Sequence, residues 1–379
     1  MQRVVVVGAG LAGARSVQEL RAQGHTGEVV LLGAEPHLPY DRPPLSKGLL
    51  LGTADDSTLE GELDADVRLG VRATGLRSGA VETTGGDVAY DGLVLATGAV
   101  PRRLGAGLTL RTVDDARALR ARLVPGARVV IIGAGWIGAE VATAAARAGC
   151  ATTVLEAGGV PLGIALGPEL GARTIPWYAE LGIDLRLDAA VEAVQPDRVI
   201  LAGGEQVAAD LVVVGIGATP DTAWLEGSGL ELDRGVLVDE HLAASWPGVV
   251  AAGDCAAWWS RRFATRLRVE HWDDALHAPT TAVTTLLGGE AVHDPVPYFW
   301  SDQLGHRLQY AGHRDGADRV VVRDAEGSWS ACWLRDGRLV AVLAIDRPRD
   351  LLQGRRMIQA GATPDPDRLA DAAVPLKEA

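Results

Sequence analysis

The first apolar run of the chain, RVVVV at residues 3–7, is continuous and β-branched. It breaks into GAGLAG, after which apolar residues recur at helical spacing through ARSVQELRAQG. A short uninterrupted run bounded by glycines predicts a buried strand, and the change of period predicts a turn and then a helix. A second strand, EVVLLGAE, follows. The same grammar returns in ARVVIIGAGWIGAEVATAAARAG and the strand TTVLE. VAYDGLVLATGAVPR, residues 88–102, predicts a strand closing the first unit, and ADLVVVGIGATPD, residues 209–221, closes the second in parallel fashion. GVLVDEHLAASWPGVVAAGDCAAW then returns the chain to the first unit. From about Tyr298 the pattern changes to short strands (YFWSDQ, RLQYAG, RVVVRD, SWSACWLRDGRLVAVLAI) and a helical stretch from about Asp350. The fold class expected is α/β, with two dinucleotide-binding (Rossmann-like) domains, the second inserted in the first, plus a small α+β C-terminal domain. Boundaries fall at 1–108 with 228–296, at 109–227 and at 297–379.

The glycines say what such units hold. Gly8 permits a tight turn, Gly10 lets backbone approach a pyrophosphate, and Gly13 lets the helix sit close to the sheet, with phosphates at the helix N-terminus. Glu35, at the end of the second strand, stands where an acid meets a ribose hydroxyl. Gly133, Gly135, Gly138 and Glu156 repeat the set. One such glycine set is explained by an ordinary strand-to-helix turn. Two, each with strand, helix and terminal acid in order, predict two bound dinucleotides.

Composition narrows the remainder. With 379 residues and 47% hydrophobic content the chain is long enough for two or three domains. Its three cysteines, Cys150, Cys255 and Cys332, form no C-x-x-C, so a disulfide framework, a metal site and a dithiol centre lack support. Small buried roles for these cysteines and a reducing, cytoplasmic setting are expected. No uninterrupted apolar run spans a bilayer. A net charge of −13 argues against non-specific nucleic-acid binding. Lys47 stands out because Lys377 is the only other lysine. An ammonium there, in a chain that otherwise uses arginine, is a compact charge whose pKa shifts readily on burial.

Several segments together carry a resemblance: GAGLAG, EPHLPYDRPPLSK at 35–47, ATGAVPR at 96–102, GAGWIGAE, VVVGIGATPD, AAGDCA at 251–256, RVEHW at 268–272 and PYFWSDQ at 297–303. The chain resembles, from end to end, the FAD-dependent, NADH-using ferredoxin reductases of oxygenase systems, of the putidaredoxin reductase type, within the pyridine nucleotide-disulfide oxidoreductase superfamily. The resemblance implies that Gly8, Gly10, Gly13 and Glu35 hold the FAD adenosine and pyrophosphate. Arg42, Lys47, Thr97, Arg102, Gly253 and Asp254 would line the flavin and its ribityl chain, with Trp272 and Trp300 near the ring or simply in the core. Lys47 would pair with Glu140 beside the reactive flavin nitrogen. Gly133, Gly135, Gly138 and Glu156 would hold NADH, whose electrons would pass through FAD to a two-iron two-sulfur ferredoxin. Glu156, followed by Ala157 and no arginine, favours NADH over NADPH.

Three departures from the family pattern are visible. GGVPLGIALG, residues 158–167, lacks the arginines usual after the second acid, so weak nicotinamide dinucleotide binding is expected. The segment from Gly52 to Val67 is too short for the usual helix. His277 and Ala278 replace Gln-Gly, with His277 expected to pack or face solvent. Two other functions share the scaffold: an NADH oxidase or modified biosynthetic flavin oxidoreductase, and a redox-sensing module resembling apoptosis-inducing factor. An acidic ferredoxin would need local positive surface, for which Arg261, Arg262, Arg266 and Arg268 rank ahead of Arg347, Arg349, Arg355 and Arg356, the alternative being that these arginines are scattered solvated residues or internal ion pairs.

Overall fold

The computed structural model describes the whole chain, Met1–Ala379. Its first sheet is parallel throughout. Arg3–Val7 lies between Glu28–Gly33 and Gly92–Leu95, with Asp66–Leu69 and Val249–Ala251 at the edges. Strands covered on both faces must be apolar continuously, which is why RVVVV and EVVLLG do not alternate. The second sheet repeats the plan with Arg128–Ile132 between Ala151–Leu155 and Leu211–Val214, and Asp184–Arg186 outside. Each unit also carries a three-stranded antiparallel meander, formed by residues 73–89 in the first and 191–208 in the second.

The chain leaves the first unit along Ala99–Pro101 and comes back along Ala218–Pro220. These two segments pair antiparallel, so outward and return crossings form one ribbon. The return ends in Trp272–Leu286, a 15-residue helix packed against Leu11–Ala22. Between Gly52 and Asp66 there is no helix, and the PPLS turn continues only into the short helix Gly48–Leu51.

The C-terminal part is a five-stranded antiparallel sheet, ordered Tyr298–Gln303, His306–Gly312, Arg338–Ile345, Ser328–Arg335, Arg319–Ala325. SWSACWLRDGRLVAVLAI is a hairpin within it. The helix Pro348–Ala360 covers the sheet, and the wholly buried Arg323 ties it to the tail by donating to Leu369 O and to Val374 O at 2.7 Å. No helix is long and apolar enough to cross a membrane.

Candidate functional site

The two glycine turns are built alike. Gly8 and Gly133 sit at φ +112° and +99°, and a Cβ on either would fall 2.1 or 2.5 Å from a facing carbonyl oxygen. A Cβ on Gly13 would lie 1.8 Å from Gly8 O, and one on Gly138 1.9 Å from Gly133 O. The last glycine of each set therefore lets helix and strand touch, as the sequence predicts, and neither lines the cleft on which both helices open. By contrast, a Cβ on Gly10 would meet nothing within 4 Å. The helices Leu11–Ala22 and Trp136–Arg147 begin at Gly10 and Gly135 with no side-chain cap and no acid in the first turn. Both positive ends open on one cleft of about 2010 Å³.

That cleft collects most of the expected residues: Gly8, Gly10, Glu35, Arg42, Lys47, Thr97, Gly253, Asp254, Trp272 and Trp300 from one side, with Gly133, Gly135, Glu140 and Glu156 from the other. Its size, its uncapped helix ends and its acids at the strand termini suit two dinucleotides. Gly13 and Gly138 lie behind the cleft wall, and Arg102 also falls outside the cleft. Extended chain throws successive side chains to opposite sides, so Arg103 lines the cleft while Arg102 is exposed outside it. Arg102 instead adds to the burial and the Arg234 charge that lower the pKa of Arg268.

Glu35 is held by its neighbours: Tyr40 donates to Oε2 at 2.6 Å and Arg42 to Oε1 at 2.9 Å. Burial, helped by Glu35, pushes the Tyr40 hydroxyl up to about 12, so it stays a donor. Glu156 accepts from Ala134 N at 2.7 Å and Gly158 N at 2.8 Å, which fixes its carboxylate at the strand end. Thr97 donates to Asp221 O at 2.7 Å. Trp272 donates its indole N–H to Asp41 at 2.8 Å and meets Trp300 edge-on at 5.9 Å, while Trp300 stacks with Tyr298 at 6.1 Å. Both tryptophans therefore pack and line the cleft at once.

Glu140 is 4% exposed, in the second fingerprint helix. Lys47 Nζ reaches its Oε2 at 2.8 Å, Ser46 donates to the same oxygen, and Ser301 donates to Oε1 at 2.6 Å. Lys47 and Ser46 come from the first unit and Ser301 from the C-terminal sheet, so one carboxylate joins all three parts of the chain. Burying a carboxylate carries a desolvation penalty, which the ammonium and two hydroxyl donors offset, and removing one of these partners from the site exposes that penalty.

Four contributors escaped sequence reasoning. Ser46 and Ser301 lie within quoted motifs, but nothing local marks them as partners of Glu140. Arg111 lines the cleft and pairs with Asp254 at 2.8 Å across 143 residues. His271 also lines it, 4.7 Å from Phe299, and burial lowers its pKa to about 4. Its Nδ1 is buried without a partner. His277, whose neighbourhood drew attention in the sequence, is exposed and outside the cleft.

The first arginine cluster is already engaged. Arg261 pairs with Glu240 and Arg268 with Glu270, while Arg262 and Arg266 donate to backbone carbonyls. In the second, Arg347 pairs with Asp350 and Arg355 with Asp273; Arg349 and Arg356 are exposed and form no ion pair. No three His, Cys, Asp or Glu side chains gather to hold a metal. Cys255 and Cys332 are buried, and burial raises both thiols; Cys150 is only partly covered.

Residues 2–278 match the family described as pyridine nucleotide-disulphide oxidoreductase, and residues 298–379 match the reductase C-terminal family. The ferredoxin reductase component of chlorobenzene dioxygenase from Cupriavidus sp. (strain PS12) is 38% identical over 97% of this chain and 95% of its own length. The crystal structure of Fdr9 superposes with a TM-score of 0.95 at 53% identity, covering 99% of both chains. The crystal structure of the covalent putidaredoxin reductase-putidaredoxin complex gives 0.95 at 32%, covering 100% of this chain and 97% of that one. The chain belongs to the pyridine nucleotide-disulphide oxidoreductase family.

Proposed function

We propose that this protein is an FAD-dependent NADH:ferredoxin oxidoreductase, passing electrons from NADH through FAD to a two-iron two-sulfur ferredoxin that serves an oxygenase. The observation that carries this reading is the Lys47–Glu140 pair, set in a cleft that both fingerprints line. It agrees with the relatives, which include ferredoxin reductase components of dioxygenase systems. Residues 1–108 and 228–296 form the flavin unit, 109–227 the nicotinamide unit and 297–379 the C-terminal unit. A cytoplasmic setting suits three unpaired cysteines.

When bound, FAD supplies the acceptor for hydride and the donor of single electrons. The chain supplies position and charge. The N-terminus of Leu11–Ala22 takes the pyrophosphate, Glu35 the ribose, and Arg42, Lys47, Thr97, Gly253 and Asp254 the flavin side, with Arg111 added through Asp254 and Arg103 lining the cleft where Arg102 was expected. Trp272 and Trp300 wall the ring. Gly133 and Gly135, with Gly138 closing the helix onto the strand, seat the NADH phosphates, and Glu156 takes the adenosine ribose. Lys47 and Glu140 keep a balanced charge pair on the wall that serves both ligands. Addition of a two-iron ferredoxin should switch on rapid NADH-dependent cytochrome c reduction; a rate independent of ferredoxin would favour the oxidase or sensor readings.

A further inference from the structure

The segment 158–167 has no arginine of its own, yet it is not without one. Arg314, in the turn after the strand His306–Gly312 of the C-terminal sheet, reaches about 150 residues back in sequence. Its Nε donates to Ala165 O and its Nη2 to Ile164 O, both at 2.7 Å. The need for it follows from local structure. Gly163–Leu166 is a helix of only four residues, in which Leu162 O and Gly163 O are taken by Leu166 N and Gly167 N. The next two carbonyls, of Ile164 and Ala165, have no amide of their own helix left to accept from. The planar fork of a guanidinium is pre-organised to span two such oxygens from two different nitrogens, whereas an ammonium offers only freely rotating donors on a single nitrogen.

Both ends of the link are firm on one side only. Arg314 stands on a turn fixed by Gly312 N to Pro297 O at 2.9 Å and His313 N to Val340 O at 3.0 Å. The segment it holds contains three of its first six positions as glycine, turns through Leu162 at φ 55°, and is tied to the second fingerprint by Leu162 N to Ala134 O at 3.0 Å. Gly158, Gly159, Val160, Leu162, Gly163 and Ile164 all line the cleft, and Ile164 is 99% exposed there. Leu162 and Leu166 on either side are buried at 5% and 3%, so the flanks of the segment are packed and only its Ile164 tip lacks apolar cover.

We propose that Arg314 is a positioning residue for coenzyme binding: from the C-terminal sheet it fixes the wall of the nicotinamide dinucleotide site that segment 158–167 provides. The inference rests on the reading of the second fingerprint as the NADH site. Without the guanidinium the segment samples other arrangements, and the apparent affinity falls by the fraction of time it is correctly placed.

The test uses the purified holoprotein and two variants, Arg314→Met, which keeps the aliphatic length, and Arg314→Lys. Calorimetric titration with ADP-ribose, which reports the adenosine and pyrophosphate half without turnover, should show about tenfold weaker binding to Arg314→Met and partial recovery in Arg314→Lys. KM for NADH with ferricyanide should rise by a similar factor while kcat stays within about twofold. Amide exchange at residues 160–167 should quicken in Arg314→Met but not elsewhere in the second unit, which separates a positioned loop from a generally weakened fold. Unchanged ADP-ribose affinity in Arg314→Met, with the parent binding normally, would overturn the role of Arg314 alone. Failure of the parent to bind ADP-ribose would overturn the NADH-site reading and this inference with it.

Discussion

Lys47 Nζ lies 2.8 Å from Glu140 Oε2, and the two residues are 93 positions apart. Glu140 is buried on a helix of the second dinucleotide unit, Lys47 follows the PPLS turn of the first, and Ser301 joins them from the C-terminal sheet. The pair is thus a structural tie as well as a feature of the cleft.

Lys47→Met leaves the Glu140 carboxylate with two hydroxyl donors and no counter-charge. Breaking a fully buried pair from one side costs about 3–5 kcal/mol. Lys47 keeps 23% exposure, so a loss on the order of 2 kcal/mol in chemical denaturation is expected. Reduction of the bound flavin by NADH, followed at 450 nm, should slow by about tenfold or more, with a smaller change in coenzyme affinity. Parent-like rates would remove Lys47 from the mechanism.

Glu156 is held at its strand end by Ala134 N and Gly158 N. A 2′-phosphate would meet that carboxylate, and repulsion of this kind is worth a factor of about ten. The ratio of kcat/KM for NADH over NADPH should exceed one and fall by about tenfold in Glu156→Arg. A variant that kept the parental ratio would place selectivity elsewhere.

His271 has a folded-state pKa near 4, below its ordinary 6.5, because burial disfavours its charged form. The unfolded chain therefore binds a proton that the folded chain refuses. The resulting stability is complete above about pH 6.5 and is lost as pH falls toward 4. Compared with His271→Phe, the parent should lose up to about 3 kcal/mol more between those limits. Parallel pH profiles for the two proteins would show that His271 is not the buried neutral group.

Much of this was legible because it is local. Strand, glycine turn, helix and terminal acid follow one another in sequence, and the structure places both sets alike, down to Gly13 and Gly138. What was hidden depends on contacts between distant segments. Nothing near Ser301 announces Glu140, and Arg111 meets Asp254 only once the chain has crossed into the second unit and come back. Arg103 rather than Arg102 lines the cleft because the side of an extended segment that faces a cleft turns on a single residue of register. Arg314 shows the same limit, since the missing arginines of 158–167 are answered from another sheet. Whether the first arginine cluster was free charge or internal ion pairs was open in the sequence, and its members pair with Glu240 and Glu270 or donate to backbone carbonyls.

The exit for electrons is better sought on the C-terminal helix. Arg355 covers the Tyr298 ring at 5.2 Å, and Tyr298 stacks on Trp300 of the cleft wall. Arg349 and Arg356 on that helix are exposed and form no ion pair. Arg349→Glu with Arg356→Glu should lower the rate of ferredoxin reduction by about threefold to tenfold at low salt and flatten its salt dependence, leaving NADH-to-ferricyanide activity intact. Unaltered ferredoxin kinetics would mean that this helix is not the docking face.

The central claim is electron passage from NADH through the flavin to a two-iron ferredoxin. Anaerobic double-mixing stopped flow tests it most directly, with NADH or NADPH in the first mix and oxidised ferredoxin in the second. The account predicts bleaching of the flavin by NADH faster than by NADPH, then reoxidation of the flavin matched in time by the spectral change of the reducing iron-sulfur centre. Flavin that neither coenzyme reduces, or that stays reduced when ferredoxin arrives, would contradict it.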